Sequence, residues 1–327
     1  MTGDKLESSA RGKVAVVTGA NTGIGLEIVR ELNLRNAKVY MLCRDEKRGQ
    51  EAKTVLVGMG CDASRLLIER CDLSSFESIR NCVRTLMDYE KTIDILVNNA
   101  GIMCYPKYEM TIDGHEMHWQ SNYLGHFLLT ESLLPAMKTS TAARIVNLSS
   151  ALHMKSDRID LSQIDEKKQF GLFKPYYRSK LANVMHARAL TQRFREDGTN
   201  NVTINSCHPG VVNTELSRRF VIARYIARPF MWLFAKTPRE GAQTALYLAL
   251  SKNVYGISGK YFSDSAIASE NPLALDDDAC QDLYNYSLEK CLLQNDSAIA
   301  SENPLALDDD ACQDLYNYSL EKCLLQK

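Results

Sequence analysis

The sequence predicts a doubly wound α/β fold, with a parallel sheet of about seven strands and helices on both faces, in a single domain. Two observations lead to this prediction. Short runs rich in Val, Ile and Leu alternate with longer amphipathic stretches over residues 13–264, which is typical of right-handed βαβ units. The short runs are continuously apolar, as expected for strands buried on both faces. This architecture is of the Rossmann type.

The predicted strands follow one another along the chain, with helical patterns between them. Residues 1–11 form a polar tail, and no shift in composition marks a linker before residue 295. We therefore expect one catalytic domain over 12–294. The strands are predicted at 13–19, 37–44, 65–73, 93–101, 143–151, 201–210 and 258–264, and the clearest helical periodicity lies at 23–35, 114–138 and 237–252.

The chain ends in an internal repeat. Residues 264–294 recur letter for letter at 296–326. Asp276 to Asp278 predict a helix start in the first copy, and one apolar stripe follows at Cys280, Tyr284, Leu288 and Leu292. Because a single fold has room for one such terminal helix, the segment 295–327 is expected to be a peripheral duplicate.

Composition and charge exclude several classes of protein. The 327 residues carry a formal net charge of −1, so no global field favours nucleic acid. The ten cysteines are scattered, without a CxxC pair or a Cys/His cluster at zinc spacing, so no metal site is expected. The N-terminus lacks the apolar core of a signal peptide, and the stretch 218–236 is too interrupted for a bilayer span. A cytoplasmic or peripherally membrane-associated protein is expected.

A glycine-rich turn between the first strand and the first helix predicts a dinucleotide site. The segment "TGANTGIG" places glycines where a tight turn brings the backbone close to a pyrophosphate at the positive end of a helix. Its position in the first βαβ unit makes the pattern more specific than a glycine triplet alone. The predicted contacts are Thr18, Gly19, Asn21, Thr22, Gly23, Ile24 and Gly25.

The end of the second strand indicates which nicotinamide cofactor binds. NAD sites usually place an acidic residue there for the ribose 2′-hydroxyl, whereas an arginine accommodates the 2′-phosphate of NADP. Arg44 holds this position, and Arg48 follows. The sequence thus predicts NADP(H), with the alternative that neighbouring Asp45 serves a hydroxyl.

Further motifs complete a family pattern. In order, these are "CDL" (71–73), "NNAG" (98–101), Asn122, a serine pair at 149–150, Y-x-x-S-K at 176–180 and "HPG" (208–210). Together with the glycine-rich turn they resemble the short-chain dehydrogenase/reductase superfamily over about residues 12–264. Segments such as "NYLGHFLLT", "SKLAN" and "KTPREGAQTALYLA" look like its retinol dehydrogenase branch, which acts on lipophilic carbonyls with NADP(H).

The family pattern selects one of two adjacent tyrosines. Its tyrosine lies four residues before its lysine, which identifies Tyr176 and Lys180 rather than Tyr177. Positions i and i+4 share one helix face, and an adjacent ammonium favours the ionised phenol and lowers the pKa of a tyrosine. The resemblance implies that Tyr176 is the acid/base and that Lys180 also holds the nicotinamide ribose.

The resemblance implies two more catalytic residues. Ser150 matches the serine that hydrogen-bonds the substrate oxygen, with Ser149 as the rival one residue away. Asn122 matches a residue at a helix kink, where a freed carbonyl holds a water in a proton relay through Lys180. The implied cofactor contacts are Asp72, Leu73, Asn99, Ala100, Gly101, Pro209, Gly210, Val211 and Thr214, with Asn98 bracing the central strands. His208 is interpreted as structural.

The expected function is NADP(H)-dependent interconversion of a lipophilic carbonyl and alcohol, similar to retinaldehyde and retinol. Alternatives are a hydroxysteroid or xenobiotic carbonyl reductase, and a low-turnover NADP-binding regulatory protein. The aromatic-rich stretch 218–236 suits a lipophilic pocket or a membrane-resting patch, while a homodimer contact or a plain core helix is the alternative interpretation.

Overall fold

The computed structural model describes residues 9–103, 105, 107–212 and 236–299, and it confirms the doubly wound α/β fold. Over these residues, eight strands form one sheet in the order β3-β2-β1-β4-β5-β6-β7-β8. The strands are β1 (Val14–Thr18), β2 (Lys38–Cys43), β3 (Leu66–Arg70), β4 (Ile95–Asn98), β5 (Ala143–Leu148), β6 (Val202–His208), β7 (Tyr261–Ser263) and β8 (Ala266–Ile267).

The sheet has one strand more than the prediction. The first seven strands fall inside the predicted runs and pair in parallel, whereas β8 pairs antiparallel with β7. Asp264 and Ser265 join these two strands with φ angles of 50° and 62°, the backbone of a tight hairpin. The dipeptide lacks the glycine that usually marks such a turn, so the sequence pattern does not show β8.

Helices cover both faces of the sheet. The stretch 114–138, predicted as one helix, begins at Met117 and contains a π-helical turn at Gln120–Leu124. The helices are α1 (Gly23–Leu34), α2 (Glu46–Gly58), α3 (Phe76–Tyr89), α4 (Met117–Trp119), α5 (Gly125–Lys138), α6 (Lys174–Glu196), α7 (Pro238–Gly241), α8 (Gln243–Leu250) and α9 (Asp277–Ile299). Short 3₁₀ turns lie at Ala63–Arg65, Ala151–Lys155, Lys167–Gln169, Lys252–Val254 and Pro272–Leu275.

The core consists of two apolar layers around buried strands. On one side α1 and α2 pack against β1, β2 and β3, and α8 packs against β4, β5 and β6, with Ile28, Leu56 and Leu246 fully buried. On the other side α3, α5 and α6 pack against the sheet and one another. Every residue of β4 is buried, which explains its uninterrupted apolar sequence.

The strand order indicates where a ligand-binding crevice lies in this fold. β1 pairs with β2 on one side and with β4 on the other. The strands up to β3 are added on one side of β1 and the strands from β4 onward on the other, so the switch point of the sheet lies between β1 and β4. In open α/β sheets, ligands bind outside the carboxyl ends of the strands at this switch point. None of the helices over the described residues combines the length and apolarity needed to cross a bilayer.

The chain divides into two compact units, Met1–Leu288 and Glu289–Lys327, and the second is described only as far as Ile299. The first unit contains the start of α9, where Asp276 accepts a hydrogen bond from the amide of Ala279 at 3.0 Å, as the predicted helix start requires. The peripheral position of 295–327 stays a prediction.

The buried stripe of α9 differs in part from the predicted one. Within the first unit it comprises Cys280, Leu283, Tyr284 and Ser287, while Leu288 is only partly buried. Ser287 is accommodated because its hydroxyl donates to the carbonyl of Leu283 and meets the Tyr123 hydroxyl, each at 2.7 Å. A polar residue at a helical core position is therefore satisfied internally.

Candidate active site

A cleft of about 360 Å³ lies at the carboxyl ends of β1, β2, β4 and β5. It collects most of the predicted site residues from distant parts of the chain. Those lining it are Thr18, Gly19, Asn21, Thr22, Gly23, Ile24, Gly25, Arg44, Asp72, Leu73, Asn99, Ala100, Gly101, Tyr176, Lys180 and Pro209. Gly210 and Val211 follow Pro209 without bordering the cleft, and Thr214 and the stretch 218–235 lie outside the described residues.

The glycine-rich turn needs its glycines. Gly19 and Gly23 have φ angles of 62° and 57°, in the left-handed region that other residues rarely adopt. A Cβ on Gly25 would lie 2.3 Å from the carbonyl oxygen of Gly19. The first turn of α1 thus packs directly on the end of β1, and no side chain fits between them.

The start of α1 is suited to an anion. Among the described residues Thr22 makes no side-chain capping bond at α1, and the first turn of this helix has no acidic residue. By contrast, Asp45 caps α2 and Ser75 caps α3. Uncapped amide groups at a helix N-terminus bind phosphates, so this part of the cleft fits a dinucleotide pyrophosphate.

Thr18 connects the ends of β1 and β4. Its hydroxyl oxygen accepts the backbone amides of Asn99 and Ala100, each at 2.9 Å. The side chain of Asn99 donates to the carbonyl of Thr18 at 2.7 Å. These bonds hold the loop after β4 against the glycine-rich turn, and that loop forms one wall of the cleft.

The far end of the cleft is formed by exposed charged residues. Arg44, Asp45 and Arg48 all line it. The carboxylate of Asp45 accepts the backbone amide of Arg48 at 3.1 Å and so caps α2. At the adjoining wall, Asp72 accepts the amide and hydroxyl of Ser74 at 3.0 and 2.7 Å.

Asn122 lies in the π-helical turn and is fully buried. Its side chain accepts the amide of Ile102 at 2.7 Å and donates to the carbonyl of Ile102 at 2.9 Å and to the hydroxyl of Ser179 at 3.0 Å. Its carbonyl oxygen accepts from the side chains of His126 and Asn183 at 3.1 and 3.2 Å. A relay water at this carbonyl must share it with two protein donors, and the relay stays a prediction.

The structure separates the two adjacent tyrosines of α6. Tyr176 is buried and lines the cleft with Lys180, whose ammonium lies 5.8 Å from the centroid of the Tyr176 ring. Tyr177 does not border the cleft and instead stacks on Phe173, with ring centroids 6.0 Å apart and planes 12° apart. The helix therefore presents one phenol and one amine to the same space.

Lys180 is buried at the edge of the cleft. It is 4% exposed, and its ammonium donates to the carbonyl of Leu148 at 2.8 Å. Burial disfavours the charged form and lowers the pKa of Lys180 from 10.5 to about 8. A Cβ on Gly101 would lie 3.4 Å from both the Lys180 ammonium and the Asn122 side-chain oxygen, so both groups lie beside the loop after β4.

The two candidate serines occupy different environments. Ser149 lines the cleft, and its hydroxyl donates to the carbonyl of Lys180 at 2.7 Å. Ser150, which is 8% exposed, does not border the cleft, and its hydroxyl oxygen accepts the amide of Leu152 at 3.2 Å. The Ser149 hydroxyl donates its proton in its hydrogen bond to Lys180. The Ser150 hydroxyl acts as the acceptor, so its proton stays available for another bond. The choice of Ser150 stays a prediction.

Sequence reasoning did not identify two contributors to the site, His126 and Ser179, which bond to Asn122. Asp45, named from the sequence only as an alternative contact for a ribose hydroxyl, caps α2 beside Arg44. The helical spacing of His126 from Asn122 was the one available signal. His208, interpreted as structural, is partly buried, and this burial lowers its pKa to about 4. Within the described residues no cluster of His, Cys, Asp and Glu is suited to hold a metal.

Comparisons with known proteins identify the family of this chain. The family model described as short chain dehydrogenase matches residues 13–223. The chain is 42% identical over 278 residues to Retinol dehydrogenase 12 of Homo sapiens, covering 85% of this chain and 86% of that protein. It is 43% identical over 257 residues to Retinol dehydrogenase 11 of Mus musculus, covering 79% of each chain.

Solved structures support the fold. A putative uncharacterized protein from Mycobacterium paratuberculosis superimposes with a TM-score of 0.71 and 27% identity, covering 89% of this chain and 98% of that one. A Pseudomonas aeruginosa RhlG/NADP active-site complex has a TM-score of 0.61 and 23% identity, covering 78% and 95%. Because the identity to this second structure is 23%, the similarity shows a shared fold and nothing more.

Proposed function

This chain belongs to the short-chain dehydrogenase/reductase family, in its retinol dehydrogenase-like branch, and on that premise we propose that it interconverts a lipophilic carbonyl and its alcohol with NADP(H). It is an oxidoreductase of alcohol and carbonyl groups. The proposal adds the cofactor form, the substrate class and the residues that carry the proton.

The observation that carries the proposal is the pairing of Tyr176 and Lys180 in the cleft. Both side chains project from one face of α6 toward a cavity that also contains the open start of α1. A phenol beside a buried amine supplies acid/base chemistry, and the open helix start supplies an anion site. One cleft therefore combines a proton donor with a place for a dinucleotide.

The proposed chemistry divides between cofactor and protein. The nicotinamide, when bound, exchanges hydride with the carbonyl carbon. In the reducing direction the Tyr176 hydroxyl gives its proton to the substrate oxygen, and the Lys180 ammonium stabilises the phenolate that remains. Ser150 donates a hydrogen bond to the same substrate oxygen. Oxidation of the alcohol runs these steps in reverse.

The preference for NADP(H) follows from the groups at the end of β2. Arg44 lies in the cleft wall where a ribose 2′-substituent is recognised in this architecture. Asp45, the acidic alternative, already accepts an amide as the cap of α2. A guanidinium binds a phosphate through paired, charge-assisted hydrogen bonds, so this end of the cleft favours the 2′-phosphate.

The lipophilic substrate class is supported by exposed apolar side chains close in sequence to the proposed site residues. Met154, Leu172 and Val211 are 48%, 50% and 66% exposed, and each lies within four residues of Ser150, Tyr176 or Pro209. Large exposed apolar side chains in the segments that carry site residues favour an apolar ligand. The names of the similar curated proteins indicate retinol and retinaldehyde as the first substrates to test.

NADPH oxidation by the purified protein tests the proposal, with retinaldehyde, steroid ketones and small carbonyls as substrates. We expect Tyr176→Phe to lower kcat by about a hundredfold or more while NADPH affinity stays within about twofold. Tyr177→Phe is the matched control and retains activity, because its ring stacks on Phe173 away from the cleft.

Two results contradict the proposal. Equal loss of activity in both tyrosine variants would show that the assignment of Tyr176 is wrong. Tight NADPH binding without turnover of any carbonyl would favour a regulatory cofactor-binding protein instead of an enzyme.

A further inference from the structure

His126 is a buried group that the proposed chemistry does not use. It lies on α5, four residues after Asn122, and is 2% exposed. It does not line the cleft. Yet its ring nitrogens contact the hydroxyl of Thr18, which lines the cleft, at 2.8 Å and the carbonyl of Asn122, whose side chain bonds to the cleft residue Ile102, at 3.1 Å.

The hydrogen bonds around the ring determine its tautomer. The Thr18 hydroxyl oxygen already accepts two backbone amides, so its own proton must go to an acceptor. His126 Nε2 lies 2.8 Å away, whereas the carbonyl of Val97 lies 3.5 Å away. Nε2 therefore accepts from Thr18, and Nδ1 carries the ring proton and donates to the Asn122 carbonyl.

The ring is suited to this role only when neutral. A protonated ring would carry a proton on Nε2 as well. The Thr18 hydroxyl oxygen could not accept a hydrogen bond from it, because this oxygen already accepts two backbone amides. Burial also lowers the pKa of His126 to about 3. The link between Thr18 and Asn122 therefore stays in the neutral form across the physiological pH range.

Asn122 extends this series of hydrogen bonds to Ile102, which lines the cleft, and to Ser179 on α6. Its side chain makes two hydrogen bonds with the backbone of Ile102 and donates to the Ser179 hydroxyl. Ser179 in turn donates to the carbonyl of Tyr176 at 2.9 Å. A continuous series of hydrogen bonds thus runs from the end of β1, through His126 and Asn122, to the turn of α6 that carries Tyr176.

We propose that His126 is a positioning residue, which couples the cofactor-binding loops of β1 and β4 to the π-turn and α6, and so places Tyr176 relative to the bound cofactor. The proposal rests on the proposed function for its kinetic consequences. Its structural part, the coupling of Thr18 to Ile102 through His126 and Asn122, does not depend on turnover.

Three variants separate the two hydrogen bonds of the ring. His126→Phe removes both and keeps the ring volume. His126→Asn can place a donor near the Nδ1 position, toward the Asn122 carbonyl, and His126→Gln can place an amide near the Nε2 position, toward Thr18. His186→Phe is the matched control, because His186 is also 2% exposed but lies among Phe127 and Tyr284, away from the cleft.

Kinetics and amide exchange then test the proposal. We expect His126→Phe to lower kcat by about tenfold or more with a smaller change in KM, and His126→Asn to restore most of it. His126→Gln, which keeps the contact with Thr18 but not the one with the Asn122 carbonyl, restores kcat less than His126→Asn does. In protein without cofactor, the amide of Ile102, which His126 does not touch, exchanges at least about tenfold faster in His126→Phe but not in His186→Phe.

The outcomes distinguish this inference from the proposed function. If the wild type oxidises no NADPH with any carbonyl, the proposed function fails, and the exchange of the Ile102 amide still decides the coupling. If that exchange is unchanged in His126→Phe, the coupling is wrong. It is also wrong if His126→Phe and His186→Phe lose kcat equally and in proportion to their folded fractions.

Discussion

Replacing Lys180 by methionine is expected to stabilise the fold at neutral pH. Burial lowers the pKa of Lys180 from 10.5 to about 8, so the folded protein holds this proton less tightly than the unfolded chain. The resulting cost to stability is fully present below the folded pKa and disappears as the pH rises from about 8 toward 10.5. At pH 7 it amounts to about 3 kcal/mol.

Methionine removes this cost but also removes one hydrogen bond. The Lys180 ammonium donates to the carbonyl of Leu148, and loss of such a donor costs about 1–2 kcal/mol. The net expectation at pH 7 is that Lys180→Met unfolds with a free energy about 1–2 kcal/mol higher than the wild type. Turnover is lost in the same variant, because the proposed partner of the phenolate is gone.

The assay is urea unfolding of both proteins at pH 7.0 and pH 9.5. At pH 9.5 the cost of burying the ammonium falls to about 1.4 kcal/mol, so the difference between variant and wild type shifts against the variant by about 2 kcal/mol. Titrating groups that do not interact with Lys180 are shared by both proteins and cancel in this comparison. Lys167→Met is the control, since Lys167 is exposed and its replacement should show no such shift. A difference between Lys180→Met and wild type that is the same at both pH values would refute this account of the buried ammonium.

Three further predictions concern the cofactor site and the duplicated segment. Arg44→Asp raises the dissociation constant of NADPH about tenfold or more and changes that of NADH much less, and an unchanged ratio in binding titrations would exclude Arg44 as the phosphate contact. Gly25→Ala weakens NADPH binding and lowers the melting temperature by several degrees, because its methyl group would lie 2.3 Å from the carbonyl of Gly19. Gly58→Ala, which meets nothing within 4 Å, is its control in calorimetry, and equal losses would contradict the packing argument. A chain ending at Gln294 keeps its melting temperature and activity, because the first copy supplies the described start of α9, and a clear loss in either would show that 295–327 is not peripheral.

Much of this protein follows from local patterns in its sequence. Continuous apolar runs determine strands that are buried on both faces, and the alternation with amphipathic helices determines the parallel order. The glycine-rich turn is also a local feature, because φ angles of 62° and 57° at Gly19 and Gly23 are accessible mainly to glycine. The four-residue spacing of Tyr176 and Lys180 places both side chains on one helix face, and this relation holds wherever the helix packs.

Only the tertiary structure decided the properties that depend on residues distant in sequence. The hairpin strand β8 carries no glycine signal. The periodicity of 114–138 predicts one helix, and the family resemblance implies a kink at Asn122 but not the π-turn that forms there. The lowered pKa of Lys180 comes from its burial, and burial of one side chain is set by every element packed around it. His126 gains its neighbours because α5 packs beside β4 and β5, and this packing brings its ring to Thr18 at the end of β1, 108 positions away in the chain. Periodicity records which face of an element is buried, whereas the partner that meets a given side chain on that face is determined by how the elements pack.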